Sequence, residues 1–227
     1  MKKIFFILIT WMVVLPMNAQ TEPEYLMEIG GGIGMTNYLG DFNGNLIKNF
    51  QPGAALVMRR LLNPYSGFKL KVMYGKLKGS SKNIETYYHD YQVEPYEFNK
   101  SLVDVCVTFE QNLWPYGTGQ DYRGAKRLTP YIFCGMGGSY VFGNGKGVFG
   151  IGFPVGVGLK YKVADRLNLG LEWGVHFTLS DKFDGVKDPY YVVSSGAFKN
   201  TDCFSSLMLT LTYSFMEKCR VCHNQDE

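Results

Sequence analysis

Long apolar runs and a strong net charge are both missing from this sequence. Beyond the N-terminus no run of eighteen apolar residues occurs, which argues against a helical membrane protein. The net charge of the 227 residues is only +3, so there is no basic field of the kind that nucleic-acid-binding proteins use. The five cysteines form no dense disulfide framework, and an odd number leaves at least one thiol unpaired or shared with a partner.

Residues for catalysis and metal binding are also scarce. The sequence has three histidines, His89, His176 and His223, and no Gly-x-Ser-x-Gly nucleophile motif. Cys219 and Cys222 form a single Cys-x-x-Cys pair, which without a second pair is weak support for zinc. We therefore predict no catalytic residue, no metal site and no cofactor. In an oxidising compartment we expect Cys219 and Cys222 to form a disulfide, either with each other or with a partner, and a plain disordered tail is the alternative.

The N-terminus has the features of a secretory signal peptide. Lys2 and Lys3 precede an apolar run over residues 4–15, and Ala19 supplies a small residue at a plausible cleavage point. We predict cleavage after Ala19, so that residues 1–19 are removed and the mature protein leaves the cytoplasm. An N-terminal membrane anchor is the alternative, but the run is short and Pro16 interrupts its end.

Glycine and aromatic residues are abundant instead. The chain has 27 glycines, and 15% of its residues are aromatic. Both suit an all-β chain with closely packed backbones and rings at a membrane interface. Glycine clusters at residues 30–34 and 150–158 superficially resemble nucleotide-binding loops. Their glycines recur at every second position inside strand patterns, however, so we interpret them as small residues that give a narrow barrel its space.

The stretch Leu167–Leu179 shows the organising pattern most clearly. An apolar side chain stands at every odd position, and every even position holds a glycine or a polar residue. This is the period of a β-strand, which presents successive side chains to opposite faces. Its thirteen residues, at about 3.3 Å each, span roughly 43 Å, which is enough to cross a bilayer at a tilt of about 40°.

Similar patterns predict eight strands and an all-β fold. The segments are residues 25–38, 52–62, 67–77, 102–113, 130–142, 148–163, 167–179 and 203–215. Short turns alternate with longer loops along the chain, which is typical of an antiparallel up-and-down transmembrane β-barrel with short periplasmic turns. The predicted barrel comprises residues 20–216, and residues 217–227 form a periplasmic tail. Both termini are then periplasmic, and the location is the outer membrane.

A soluble lipocalin-like barrel is the structural rival, with its apolar face turned inward. The long segments and a second face of glycine, threonine and serine favour the membrane. So does a predicted arrangement of aromatic residues in two rings. The first comprises Tyr25, Tyr65, Phe68, Trp114, Tyr116, Tyr131, Tyr161, Tyr213 and Phe215. The second comprises Tyr38, Tyr74, Tyr140, Phe142, Phe149, Phe177 and Phe204.

If the apolar face meets lipid, the polar face fills the lumen. This predicts a lumen charge network of Glu28, Lys69, Lys71, Asp104, Glu110, Lys160, Glu172 and His176. Because unpaired buried charges are costly, these groups must pair. The main interpretation is a packed polar plug, since an eight-stranded barrel has room for little besides side chains. The alternative is a narrow pore or a proton path through Glu172 and His176.

The loop at residues 83–98 is rich in tyrosine. Tyr87, Tyr88, Tyr91 and Tyr96 lie among charged residues, a composition enriched at protein interfaces. This loop is a candidate partner-binding surface. A loop folded over the mouth of its own barrel fits the composition equally well.

Five pieces of sequence, taken in order, resemble the PorG-like outer-membrane barrels of Bacteroidota, the DUF6089 family. They are residues 38–41, 74–79, 130–138, 169–184 and 211–215, the last followed by Cys219. The resemblance implies an integral outer-membrane component of the type IX secretion and gliding machinery. Its implied partners are outer-membrane lipid and a periplasmic ring lipoprotein with its companion protein. It supplies no catalytic residues.

The sequence thus predicts a non-enzymatic outer-membrane barrel that anchors or helps to assemble a type IX secretion complex. Two alternatives remain. One is a stand-alone surface barrel or small porin-like channel, and the other is a lipid-modifying barrel enzyme.

Overall fold

A computed structural model describes residues 24–39, 50–80, 97–117, 125–143, 147–180, 183 and 202–217. These residues form eight β-strands: β1 Tyr25–Leu39, β2 Gln51–Leu61, β3 Ser66–Ser80, β4 Glu97–Asn112, β5 Leu128–Phe142, β6 Val148–Lys162, β7 Leu167–Thr178 and β8 Cys203–Glu217. No described helix is long and apolar enough to cross a membrane.

The strands close into a barrel in chain order. Each strand pairs antiparallel with the next, and β8 pairs with β1 to complete the ring. Ladder partners include Glu28 with Ser214 at the closing seam and Glu28 with Arg59 between β1 and β2. Closure satisfies every strand edge, as the membrane interior requires. The predicted eight-stranded antiparallel barrel is therefore confirmed.

The two ends of the barrel differ. At one end, which we call the turn end, residues 62–65 and 163–166 make short connections, and Tyr25 pairs with Glu217. The side-chain Oδ1 of Asn63 accepts hydrogen bonds from the backbone N–H groups of Tyr65 (2.8 Å) and Ser66 (2.7 Å), which fixes the first turn. The third connection at this end is longer and spans residues 113–127. The opposite end, the loop end, carries the connections at residues 40–50, 81–96 and 179–202 and a short one at residues 143–147.

Alternation sorts the side chains between the outer wall and the lumen. Along β7 the outward side chains are exposed, including Leu171 (45%) and Trp173 (43%), whereas Glu172 is buried at 4%. The glycine-rich β5, whose facing was ambiguous in the sequence, turns Tyr131 and Phe133 inward and Met136 outward. The result is a barrel with an apolar exterior.

The predicted aromatic rings are only partly formed on that exterior. Exposed rings at the turn end include those of Phe68, Trp114, Tyr161 and Tyr213, and at the loop end those of Tyr74, Tyr140, Phe142, Phe149 and Phe177. The prediction was wrong for five residues, which are buried: Tyr25, Tyr38, Tyr116, Tyr131 and Phe204. Two more, Tyr65 and Phe215, are half-buried. For the five buried residues, positions along the strands predicted correctly at which end of the barrel they lie, but not that their side chains point into the lumen.

Trp173 offers a direct test of which face meets lipid. In a Trp114→Phe variant of the mature chain, reconstituted into bilayers, we expect brominated acyl chains to quench most of the indole emission. The reason is that Trp173 lies at mid-strand on the outer wall. An aqueous quencher such as acrylamide serves as the matched control and should have little effect. Strong acrylamide quenching with no effect of bromolipid would contradict an apolar wall in contact with lipid.

Candidate functional site

The lumen contains a cluster of ion pairs centred on two glutamates, one each from β7 and β4. Glu172 accepts hydrogen bonds from Lys71 Nζ (3.0 Å) and from Lys69 Nζ, both on β3. Tyr131 donates its hydroxyl to the same carboxylate at 3.0 Å. Lys69 Nζ also lies 2.9 Å from Glu110 Oε1, so this lysine joins the two glutamates.

Glu110 is the most highly connected residue of the cluster. Its Oε2 atom accepts hydrogen bonds from Lys160 Nζ (2.5 Å) and Arg59 Nε (2.7 Å). Arg59 extends the network to Glu28, because its Nη1 donates a hydrogen bond to the Glu28 carboxylate. All of these side chains are at most 5% exposed, so each ion depends on its partners rather than on bulk water.

The charges of the buried lumen balance. Among the described residues, five buried cationic side chains are matched by five buried carboxylates: Arg59, Lys69, Lys71, Lys160 and Lys162 against Glu28, Asp104, Glu110, Glu172 and Asp202. Aromatic faces add further support to the cations: Lys160 Nζ lies 4.3 Å from the ring centre of Tyr131, and Lys69 Nζ lies 4.4 Å from that of Phe133. A balanced, hydrogen-bonded cluster of this kind is a structural plug.

A second polar contact lies beside this cluster. His176 Nδ1 is 3.4 Å from Asp104 Oδ2, and Ser139 Oγ donates to Asp104 Oδ1 at 2.6 Å. The imidazole stacks on Phe204 with ring centres 4.3 Å apart. His176 thus has an acidic neighbour at Nδ1, whereas its Nε2 has no hydrogen-bond partner among the described residues.

The structure places all eight predicted lumen residues inside the barrel. Six of them form one network: Glu28, Lys69, Lys71, Glu110, Lys160 and Glu172. Arg59 connects Glu28 to this network through Glu110, and Asp104 contacts His176. Lys69 contacts both Glu172 and Glu110, whereas Lys160 contacts Glu110.

Sequence reasoning missed Arg59, the residue that connects Glu28 with Glu110. It lies on β2, the least regular of the predicted segments, next to the exposed Arg60. The signal that could have found it is the alternation of inward and outward positions along the strand. Ala55 and Val57 are buried like Arg59, whereas Met58 is exposed like Arg60, so the two arginines face opposite sides.

The expectation of a uniformly polar lumen was wrong for the loop half. There the interior is an apolar layer, whose members pack against one another: Tyr38, Ala55, Met73, Leu77, Phe98, Leu102, Val141, Phe183, Phe204 and Met208. Asp202 anchors it, because its carboxylate accepts hydrogen bonds from the Tyr38 hydroxyl and the backbone N–H of Phe183 (2.7 Å). An ion crossing the barrel would meet this layer next to the charged cluster.

Several predicted features lie outside the described residues. These are the signal peptide, the tyrosines Tyr87, Tyr88, Tyr91 and Tyr96, and the pair Cys219 and Cys222. Within the described ranges, no group of three or more histidine, cysteine, aspartate or glutamate side chains is arranged to hold a metal ion.

Comparisons with known proteins agree with this architecture. The sequence matches the model of the family described as "Domain of unknown function (DUF6089)" over residues 2–224. A search of curated proteins found no matching sequence.

Solved structures with a similar fold are bacterial surface barrels. Neisserial surface protein A (NspA) superposes with a TM-score of 0.50 at 13% identity, over 83% of this chain and 97% of that chain. Ail, the attachment invasion locus protein of Yersinia pestis, gives 0.48 at 13% identity, over 85% and 99%. OprG from Pseudomonas aeruginosa gives 0.48 at 10% identity, over 88% and 100%. At 13% identity the likeness to NspA concerns the fold alone.

Proposed function

This chain belongs to the DUF6089 family, and we propose that it is a non-enzymatic integral barrel of the outer membrane that anchors a protein secretion complex. The observation that carries this proposal is the filled lumen. Buried ion pairs and an apolar layer occupy the interior of the described barrel, which favours an anchoring role over a channel or an enzyme. What it does offer is a rigid wall in the membrane.

The exterior supports residence in the bilayer. Mid-strand outward positions are apolar on every strand, with Leu56, Val107, Ile151 and Leu209 each more than 40% exposed to the surroundings. Such a surface is far larger than the apolar patches that soluble proteins leave in water. Lipid is the solvent that matches it.

The orientation follows from the connections. In this proposal residues 1–19 are a cleaved signal peptide, the turn end and both termini are periplasmic, and residues 217–227 form a periplasmic tail with a Cys219–Cys222 disulfide. The tail and the turn end then meet the partners implied by the family resemblance, a periplasmic ring lipoprotein and its companion in a type IX secretion system. The tyrosine-rich loop is a second partner surface at the opposite end.

The proposal is tested by deletion together with affinity capture. Deleting the gene is expected to abolish release of type IX cargo, and the tagged full chain, cross-linked in native membranes, is expected to capture the two ring proteins. A chain truncated after Glu217 should still fold but capture less of them. A second eight-stranded barrel of the same membrane, equally tagged, is the control and should capture neither.

The other functions predict different results. Normal cargo release in the deletion strain would contradict the secretion role. Steady conductance in planar bilayers would favour a small channel, and an altered lipid A or phospholipid profile in the deletion strain would favour a lipid-modifying enzyme.

A further inference from the structure

In the part of the barrel that the structure describes, exposed charge at the loop end of the outer wall lies on one side. Among the described residues, the charged side chains exposed near this rim are Lys76 and Lys78 on β3 and Glu97 on β4. Outward positions elsewhere on the described rim are uncharged, for example Met35, Pro52, Phe149 and Leu179. The charge is therefore concentrated on one sector of the wall.

The two lysines follow an aromatic side chain along β3 towards the loop end. Tyr74, Lys76 and Lys78 are alternate residues of β3, so all three project outward, with about 6.6 Å between successive positions. Their ladder partners on β4 include Ser101 opposite Lys76 and Asn99 opposite Lys78. Both lysine side chains are exposed, and neither forms an ion pair with another described residue.

Below and beside the lysines lies a floor of three aromatic rings. The Tyr74 hydroxyl lies 3.3 Å from Ser101 Oγ, and Ser101 pairs with Phe142 on β5. Tyr140 and Phe142 stack with ring centres 5.9 Å apart. Tyr74, Tyr140 and Phe142 are 47%, 46% and 38% exposed, which leaves their faces open to the surroundings.

The height of the lysines matches that of lipid headgroups. The apolar band of a membrane barrel is about 25 Å tall, and a strand tilted by about 40° needs about ten residues to cross it. Counted along β3 from the outward-facing Phe68 at the turn end, that band ends near residues 77 and 78. Lys76 and Lys78 thus lie at the boundary where phosphate groups of lipids are found. Glu97 pairs with Ser80 and lies farther from the bilayer.

We propose that Lys76 and Lys78, with the floor of Tyr74, Tyr140 and Phe142, form a binding site on the outer wall for a phosphorylated glycolipid of the outer leaflet, the class to which lipopolysaccharide belongs. The inference rests on the proposed function, because it takes the loop end to face the outside. The lysines neutralise the phosphates and release counterions, and the ring faces contact the apolar faces of the sugars. A glycolipid fits this sector better than a phospholipid, since a phospholipid headgroup has no sugar rings to cover three exposed aromatic faces.

The test measures binding of fluorescently labelled, bisphosphorylated lipopolysaccharide to the folded full-length mature chain in zwitterionic detergent. Replacing both lysines with glutamine, K76Q/K78Q, is expected to weaken binding roughly 25-fold, given about fivefold for each lysine near an anionic lipid surface. A matched control, R60Q/R127Q, removes two exposed arginines at the turn end and should leave the affinity within about twofold. Dephosphorylated lipopolysaccharide should bind the unmodified chain as weakly as the intact glycolipid binds K76Q/K78Q.

Three results would overturn the site. They are unchanged affinity in K76Q/K78Q, an equal loss in R60Q/R127Q, and equally tight binding of phosphatidylglycerol vesicles, which would make the sector a general anionic surface. Heat-modifiable gel mobility reports folding in every sample. A chain that does not fold into detergent at all would instead contradict the membrane location, so the two failures are distinguishable.

Discussion

Replacing Glu110 with glutamine is expected to lower the free energy of unfolding by about 3–5 kcal/mol. Glutamine keeps the volume of the side chain but removes the charge that Arg59, Lys69 and Lys160 share. The lumen would then hold one more cation than carboxylates, at a site buried from bulk solvent. Urea titration of the reconstituted barrel, followed by tryptophan emission and heat-modifiable mobility, measures the change.

The same cluster supplies a rescue experiment. Without Glu110, Arg59 still contacts Glu28 and Lys69 still contacts Glu172, whereas Lys160 keeps only uncharged partners, the Asn112 amide oxygen and the face of the Tyr131 ring. Lys160→Met should therefore be destabilising by itself but should restore most of the stability lost in Glu110→Gln, because the double variant is again neutral. Additive losses in the double-mutant cycle would contradict an electrostatic cause.

An exposed ion pair provides the control for that experiment. Glu217 accepts a hydrogen bond from Arg166 at 3.1 Å, and both side chains are about half exposed (52% and 49%). Exposed pairs contribute little to stability, so Glu217→Gln should change the urea midpoint far less than Glu110→Gln. Equal shifts in the two variants would mean that the lumen cluster is better solvated than its burial indicates.

The strand pattern determined the fold and the facing of most residues but not the contacts inside the lumen. Alternation is a local property, and a one-residue shift would expose a whole face, so the facing of β7 could be predicted from Leu167–Leu179 alone. Contacts across the lumen join strands distant in sequence. Lys71 and Glu172, for example, are 101 residues apart, and nothing in either local pattern specifies that they meet.

The apolar layer was missed for a related reason. Leu77, Leu102 and Met208 stand on the inward face, where alternation predicts their facing but not their neighbours. They lie at the loop half, so they meet Phe183 and Phe204 rather than the charged cluster of the turn half. The division of the lumen into a charged half and an apolar half depends on the heights of all eight strands, which the register of the barrel sets. Those registers follow from the hydrogen-bonded ladders and cannot be obtained from single segments.

Replacing the inward glycines of β1 is the second change from which we expect a large loss of stability. A Cβ atom placed on Gly30 would lie 2.0 Å from the backbone oxygen of Leu211, and one on Gly34 would lie 2.0 Å from that of Leu207. Both obstacles are backbone atoms of β8, the strand that closes the barrel, so a side chain cannot simply rotate away. The sequence suggested that these glycines give the lumen space. Their more specific role is to let the first and last strands come together.

Gly30→Ala combined with Gly34→Ala should therefore impair closure of the barrel. Overpacking at a buried site costs about 1–3 kcal/mol, and here two sites on one seam are affected, so we expect a loss of several kcal/mol and a large fraction of chains without heat-modifiable mobility. Gly31→Ala is the matched control on the same strand. A Cβ atom there would lie 3.3 Å from the Ala55 backbone oxygen and 3.7 Å from the end of Leu56, distances that small shifts accommodate. If Gly31→Ala proved as damaging as the double variant, lost glycine flexibility rather than the close approach of β1 and β8 would explain the effect.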